Sequence, residues 1–268
     1  IFELSHPYRT TNNELLTVWN RVRNFDDAIL ESLVKNGYVT RLDESIFEHN
    51  EDDEIILCLN YDGLYGINNI NRFLQNNNPN ESVALGINTY KVGDPILFNE
   101  SNLFSPLIHN NSKGRIVAIR PEDQQIWFNI ELEESINEIE ASEYDFELIG
   151  ESETGKSIIS FSVSKSQSTN EDDEDDDSSI IPFQVSYAIS IHKAQGLEYD
   201  SVKIVITNET EERITHNIFY TAITRTKNKL KIYWSPETEH AILSRFKVKQ
   251  SAKDAHLLAQ LSSLKMNN

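Results

Sequence analysis

The sequence predicts an α/β fold: a parallel-sheet domain interrupted by a small antiparallel β-barrel-like insertion. Three observations carry this. Near both ends of the chain, short apolar runs such as Ile55-Ile-Leu-Cys-Leu59 and Val202-Lys-Ile-Val-Ile206 alternate with helical periodicities. Strand, turn and helix in succession make the unit of a parallel sheet, and continuous apolar runs suit strands buried on both faces. From about residue 85 to 165 the apolar spacing falls to two, the signature of antiparallel strands with one buried face.

The elements follow in order. Thr11 and Glu14 have the spacing of a capping box, which places a helix start there. Leu15, Val18, Trp19 and Val22 then share one helical face. Phe25 to Asn36 continues as a second helix, stopped by Gly37. After the strand at 55–59, Leu64, Ile67, Ile70 and Leu74 mark a further helix. The composition changes at Asn76-Asn-Asn-Pro-Asn80. Beyond it, Trp127 to Leu132, Tyr144/Phe146/Leu148 and Ile159/Phe161/Val163 alternate as strands, with turns at Gly93-Asp94-Pro95 and Lys113-Gly114. Phe183 to Ile191 and Val202 to Ile206 restore the parallel pattern. A helix is expected at 216–225 and a strand at Lys229 to Trp234, and Pro236 suits the first turn of another helix. The expected plan is therefore an α/β domain from 1–84 and 182–250, a β insertion at 85–165, an acidic flexible loop at 166–181 and a C-terminal tail at 251–268.

Composition narrows the function. The 268 residues carry a formal net charge of −19, which argues against a broadly basic nucleic-acid binder. Glu171-Asp-Asp-Glu-Asp-Asp-Asp177 supplies part of that charge, and charge so dense cannot bury area. Any nucleic-acid contact must come from a few placed groups. Arg245, Lys247, Lys249, Lys253 and Lys265 make the end of the chain basic, as a solvated helix face or a binding arm would be. A single cysteine, Cys58, excludes an internal disulfide framework and fits a reducing compartment. The sequence shows no signal-peptide pattern and no apolar stretch of membrane-spanning length, so a cytoplasmic location without membrane association is expected. The chain starts at Ile1 with residues that already read as folded sequence, as expected of a piece of a longer protein.

Gly150-Glu-Ser-Glu-Thr-Gly-Lys-Ser157 fits the phosphate-loop pattern G-x-x-x-x-G-K-[ST]. A working phosphate loop needs a buried parallel strand before it and a helix after it. Here both flanks alternate with period two, and two glutamates inside the loop would repel a triphosphate. A β-hairpin turn is the expected structure.

Polar strings beside apolar strands carry the chemistry. Arg225 closes a predicted helix, Tyr220-Thr-Ala-Ile-Thr-Arg225. It reads either as a cation completing a helix C-terminus or as an arginine aimed at a phosphate, whose planar fork Lys cannot reproduce. His192, Lys193 and Gln195 put donors on a turn after a strand, and Gly196 allows close backbone approach. Turns at the carboxyl ends of parallel strands are where such sheets place their sites.

These strings resemble motifs of superfamily 1 helicases of the UvrD and RecD type. Pro7-Tyr-Arg9-Thr10 is similar to motif IV, His192-Lys-Ala-Gln-Gly-Leu-Glu198 to motif V and Tyr220 to Arg225 to motif VI. Leu59-Asn60 with Ile67-Asn68, and Tyr90-Lys-Val-Gly-Asp94, resemble the RecD-like pattern before and within the insertion. The resemblance implies the second RecA-like domain of an ATP-dependent helicase or translocase. It implies that Arg9 and Arg225 reach the γ-phosphate, Arg225 as the finger. It further implies that Gln195, Gly196 and Glu198 meet the nucleotide, and that Ser190, His192 and Lys193 face the nucleic-acid backbone. ATP with Mg²⁺ is the implied cofactor, the metal being held by a first RecA-like domain whose motifs this sequence lacks; the fragment alone should not hydrolyse ATP. The implied partners are that domain and single-stranded or duplex DNA, with RNA an open alternative. The rival expectation is a nucleotide-dependent regulatory or interaction module without unwinding activity, which the acidic composition favours.

Overall fold

The structure, a computed structural model, describes residues 9–49, 53–99, 104–165 and 181–246. Pro7 and Tyr8, the acidic run 171–177, and the tail from Lys247 onward lie outside the described residues. In chain order the elements are α1 (Asn13–Arg23), α2 (Ile29–Lys35), β1 (Val39–Thr40), β2 (Glu54–Cys58), α3 (Ile67–Asn77), β3 (Ser82–Leu85), β4 (Asn88–Lys91), β5 (Pro95–Phe98), β6 (Lys113–Pro121), β7 (Gln125–Leu132), α4 (Glu138–Ala141), β8 (Glu147–Glu151), β9 (Ser157–Ser164), β10 (Phe183–Val185), β11 (Ala188–Ser190), β12 (Tyr199–Val205), α5 (His216–Ile223) and β13 (Thr226–Tyr233). A last helix, α6, occupies 236–246. The chain divides into two compact units, one from 1–70 with 188–268 and one from 71–187. Among the described residues no helix is long and apolar enough to cross a membrane.

The first unit is built on a five-stranded parallel sheet in the order β1-β13-β12-β2-β11. Every residue of β2 is buried, as its unbroken apolar run predicts for a strand covered on both faces. Helix α1 buries Leu15, Val18, Trp19 and Val22, as their spacing requires. Its cap differs from expectation: Asn12, not Thr11, accepts from the Glu14 and Leu15 amides at 2.9 and 3.2 Å. Asparagine reaches those amides as well as threonine does.

The second helix also starts later than the periodicity suggests. Phe25 sits at φ +56, in the C′ position of a Schellman turn: its amide bonds to the Val22 carbonyl, and the Asp26 amide bonds to that of Arg21. A phenylalanine in this region is costly. Its ring stacks on His216 at 3.9 Å between centroids, a tertiary contact that no local pattern reveals.

The second unit contains a six-stranded antiparallel sheet, β10-β5-β6-β7-β9-β8, and the separate hairpin β3-β4. Burial alternates perfectly along β7. Its buried face packs Phe98, Phe104, Phe128, Phe161 and Phe183 against Tyr90, largely edge to face, as between Tyr90 and Phe128 at 5.5 Å. The ladder runs from β10 to β8 with no pairing between those two strands among the described residues. The expectation of a barrel-like form therefore goes only as far as an antiparallel sheet. The hairpin expected at 150–157 joins β8 to β9, closed by Ser152 N donating to Lys156 O at 2.8 Å.

Two further features were not legible beforehand. The run Phe183 to Ile191 is two strands: β10 pairs antiparallel with β5, and β11 pairs parallel with β2. Asp94, read as part of a turn, is fully buried. It accepts from Gln75 Nε2 at 2.6 Å, Asn78 Nδ2 at 2.9 Å, Lys91 N at 2.9 Å and Tyr187 Oη at 2.9 Å. Burial first, then the Asp94 charge, pushes the Tyr187 hydroxyl well above its usual range.

Candidate functional site

The residues singled out by sequence fall into two groups, both in the first unit. One is the turn at 191–196 that leaves the carboxyl end of β11. Ser190 braces it: its carbonyl accepts from Ala194 N at 3.1 Å and its hydroxyl from Lys193 N at 3.1 Å. Gln195 N then bonds to His192 O at 3.2 Å, and Leu197 N to Ala194 O at 3.0 Å. Ile191 and Ala194 are buried and pin the turn to the core. That leaves His192, Gln195 and Gly196 exposed and Lys193 half-buried. Gly196 adopts φ +93, a conformation that costs L side chains strain and glycine almost none.

The chain then returns. Ser190 is level with Cys58 of β2, whereas Ser201 is level with Glu54, so 191–198 runs from one end of the sheet to the other. Glu198 stands just before β12 and Arg225 just before β13. The first bond between these strands is Tyr199 N to Arg225 O at 2.9 Å.

The second group gathers here, at the amino ends of the strands. Arg9 Nε donates to Glu198 Oε1, and Arg9 Nη1 donates to Thr224 O at 2.9 Å. Arg225 donates from Nε to Thr221 O at 3.0 Å, from Nη1 to Leu197 O at 3.0 Å and from Nη2 to Thr224 Oγ1 at 3.3 Å. Helix α5 sets this up. Thr215 caps its start by accepting from Ile218 N at 3.3 Å, and its last turn presents the Thr221 carbonyl to the guanidinium. Arg225 is buried. Burial first, and the neighbouring Arg9 charge second, lower its pKa; Glu198 and Tyr220 act in the opposite sense.

The 191–196 turn therefore leaves the carboxyl end of its strand, as expected of a turn that follows one. Both arginines and Glu198 lie at the opposite ends. A turn after a strand is visible in sequence, but the end of the sheet at which a helix delivers its last residue depends on topology.

Several supports went unread. Thr10 Oγ1 donates to Lys227 O, and Asn12 Nδ2 donates to Asn228 O at 3.5 Å. These bonds tie the segment carrying Arg9 to β13 across more than two hundred residues of sequence, a distance over which no pattern is readable. Trp19 Nε1 donates to Ile223 O at 3.1 Å, fixing α1 to the end of α5. Lys203, inside an apolar run, is a buried ion-pair partner: its Nζ lies 3.1 Å from Glu54 Oε1 and donates to Ser45 O at 3.2 Å and to Glu48 O. Burial pushes the Glu54 carboxyl up, but His49, Lys203 and Ser201 outweigh it and hold the group below its usual range. Among the described residues no group of three or more His, Cys, Asp or Glu side chains is placed to hold a metal ion.

Residues 185–233, which include the 191–196 turn, Glu198 and Arg225, match the UvrD-like helicase C-terminal domain family. The RecBCD enzyme subunit RecD of Mycobacterium tuberculosis is 32% identical over 68 residues, 25% of this chain and 12% of that protein. RecD of Buchnera aphidicola is 34% identical over 55 residues, 20% of this chain and 9% of that protein. Among solved structures, Bacteroides Pif1 bound to ssDNA superposes with a TM-score of 0.54 at 16% identity, covering 96% of this chain and 57% of that one. Candida albicans Pif1 gives 0.52 at 13% identity, covering 93% and 60%. At such identities the Pif1 likeness is one of fold. The matches span a small part of each RecD and somewhat over half of each Pif1.

Proposed function

We propose that this chain is the second RecA-like domain of an ATP-dependent superfamily 1 helicase or translocase, with the antiparallel sheet as a small barrel-like insertion in it. In this reading, residues 1–84 and 182–250 form the motor domain and 85–165 the insertion. One observation carries the proposal. Arg9 and Arg225 meet at Thr224, Arg9 Nη1 donating to its carbonyl at 2.9 Å and Arg225 Nη2 to its hydroxyl at 3.3 Å, with Glu198 as the carboxylate bonded to Arg9. In a chain of net charge −19, two crowded guanidiniums with one carboxylate leave local positive charge that an anion would complete. The terminal phosphates of ATP are that anion, presented from the cleft with a first RecA-like domain.

Each residue then takes the role that its motif implies. Arg225, held by two backbone carbonyls, keeps part of its five-donor fork for the γ-phosphate. There it stabilises charge developing in the transition state, an effect worth about 10³-fold or more in rate. Arg9 adds a second contact, and Glu198 aligns it while facing the nucleotide sugar. The motif V resemblance assigns Gln195 and Gly196 to the phosphates, although their turn leaves the opposite end of the sheet from the two arginines. His192 and Lys193, on the turn that Ser190 braces, meet the backbone of a single strand, DNA in the first instance. Any Mg²⁺ accompanying ATP would be held by the first RecA-like domain. Alternating closure of the cleft on ATP then steps the strand.

Arg225→Ala in the full-length protein tests this. ATP turnover should be lost while nucleotide binding persists; unchanged turnover overturns the proposal. The acidic charge supports a second reading, a nucleotide-dependent module that acts on a protein partner. ATPase activity stimulated by single strands in the full-length protein separates the two: the motor requires it and the module does not.

A further inference from the structure

We infer that the loop 59–66, between β2 and α3, carries a base-stacking platform for single-stranded nucleic acid, with Tyr61 as the stacking group. The inference rests on the motor reading above, which places the neighbouring 191–196 turn on the strand's path.

Two observations combine. The first is that the loop is rigid yet shows apolar side chains to solvent. Its backbone is closed by Gly66 N to Gly63 O at 3.0 Å, Ile67 N to Asn60 O at 3.1 Å and Asn68 N to Tyr61 O at 3.0 Å. Three asparagines lock it further: Asn60 Nδ2 to Asp62 O at 2.7 Å, Asn68 Nδ2 to Asp62 Oδ1 at 3.2 Å and Asn69 Nδ2 to Leu64 O at 2.8 Å. Gly66 packs so closely that a Cβ there would meet Asp62 O at 2.4 Å. Tyr65 is anchored against Phe47, with ring centroids 6.1 Å apart. Even so, Tyr61 is 56% exposed and Leu64 65% exposed. A loop this constrained gains nothing for its own stability by holding an aromatic ring in water. A ring held ready at little further entropic cost is what a binding surface needs.

The second observation is position. The loop leaves the carboxyl end of β2, and the 191–196 turn leaves the carboxyl end of the adjacent strand β11. Ser190 pairs with Cys58, and Ile191 N donates to Cys58 O at 3.0 Å. The loop bearing the exposed ring therefore leaves the same end of the sheet as the turn bearing His192 and Lys193. Donors for phosphate oxygens beside an aromatic face for a base form the minimal pair that sequence-tolerant single-strand binders use. The ring also explains how an acidic protein grips a polyanion: much of the contact is stacking, not charge.

The test uses the full-length protein, a fluorescein-labelled oligo-dT and its rU counterpart, and fluorescence anisotropy. Tyr61→Ala should weaken oligo-dT binding by about tenfold, the scale of one base–aromatic stack, while leaving the KM for ATP within about twofold. Tyr61→Phe should restore binding, because the ring and not the hydroxyl carries the contact. An oligomer with abasic positions should bind wild type and Tyr61→Ala alike. If Tyr61→Ala binds oligo-dT and oligo-rU as wild type does, or if Tyr61→Phe fails to restore binding, the inference is overturned. Wild type that binds oligo-dT with the Tyr61 dependence above, but shows no strand-stimulated ATPase, would sink the motor reading and leave the stacking platform standing.

Discussion

Arg9 and Glu198, 189 residues apart in sequence, form an ion pair at the amino ends of the central strands. Arg9 precedes the first helix and Glu198 precedes β12, so the pair joins the two ends of the chain that the second unit separates. The Arg9 and Glu198 side chains are 29% and 35% exposed, so the pair orients groups more than it stabilises the fold. Its value lies in aiming Arg9 beside Arg225.

That geometry sets the first prediction. Glu198→Gln keeps the shape and removes the charge, leaving Arg9 and Arg225 to repel one another. Turnover should fall about tenfold, with little change in thermal stability. Arg225→Lys should instead lose about 10³-fold, because an ammonium cannot make the contacts to Thr221 O and Leu197 O while also reaching a phosphate. Steady-state ATPase assays of the full-length variants measure both losses. Equal losses would show that the two residues do not have separate roles.

Lys156 should be dispensable for nucleotide chemistry. It belongs to the β8-β9 hairpin, where its amide bonds to Ser152 Oγ at 3.2 Å, and no helix follows it. Lys156→Ala in the full-length protein should leave the ATP KM and kcat within about twofold. A collapse of nucleotide binding, read by titration with a fluorescent ATP analogue, would show that the phosphate-loop pattern is real after all.

The buried Glu54–Lys203 pair should matter for stability and for its pH dependence. Lys203→Met leaves a carboxylate whose side chain is only 4% exposed without its cation, which should cost about 3–5 kcal/mol. Changing both residues to apolar ones should cost much less. Because the folded pKa of Glu54 is lowered, its contribution is present above the unfolded value of about 4.3. That contribution is lost as pH falls from there through the folded value. Glu54→Gln should therefore flatten the acid limb of the stability curve below about pH 4.3, as urea unfolding across pH would show.

Asp94 should behave as a structural hub of the second unit. Asp94→Ala leaves the Gln75 and Asn78 amides, the Lys91 N–H and the Tyr187 hydroxyl without their shared acceptor. The expected loss is about 3 kcal/mol, visible as a lower unfolding midpoint. Hydrogen exchange should show the change concentrated at 75–78, 91–94 and 187. A midpoint equal to wild type would mean that water replaces the carboxylate.

Much of this was legible because it is local. The apolar run of β2, the helical face of α1 and the alternation along β7 each follow from a repeat within one element. The false phosphate loop was recognisable for the same reason: its flanks have strand periodicity. The misses are of another kind. Nothing near Phe25 announces a left-handed backbone stabilised by stacking on His216. Nothing near Ser186-Tyr187 shows that Phe183 and Ala188 belong to different sheets, since β10 and β11 are both short and apolar.

By itself, the sequence determined the locally patterned elements, such as α1, β2 and β7, the faces they bury, and where the polar strings at 190–198 and 220–225 stand beside apolar strands. Backbone propensity and side-chain periodicity act over one or two turns, so they are written locally. Only the tertiary structure decided that Arg9, Glu198 and Arg225 share one place, that this place lies at the amino ends of β12 and β13, and that Tyr61 stands exposed beside the strand bearing Ser190. Those outcomes depend on strand order and register. These emerge from the global packing of buried area and backbone hydrogen bonds, a competition among alternatives that no single segment of the chain encodes.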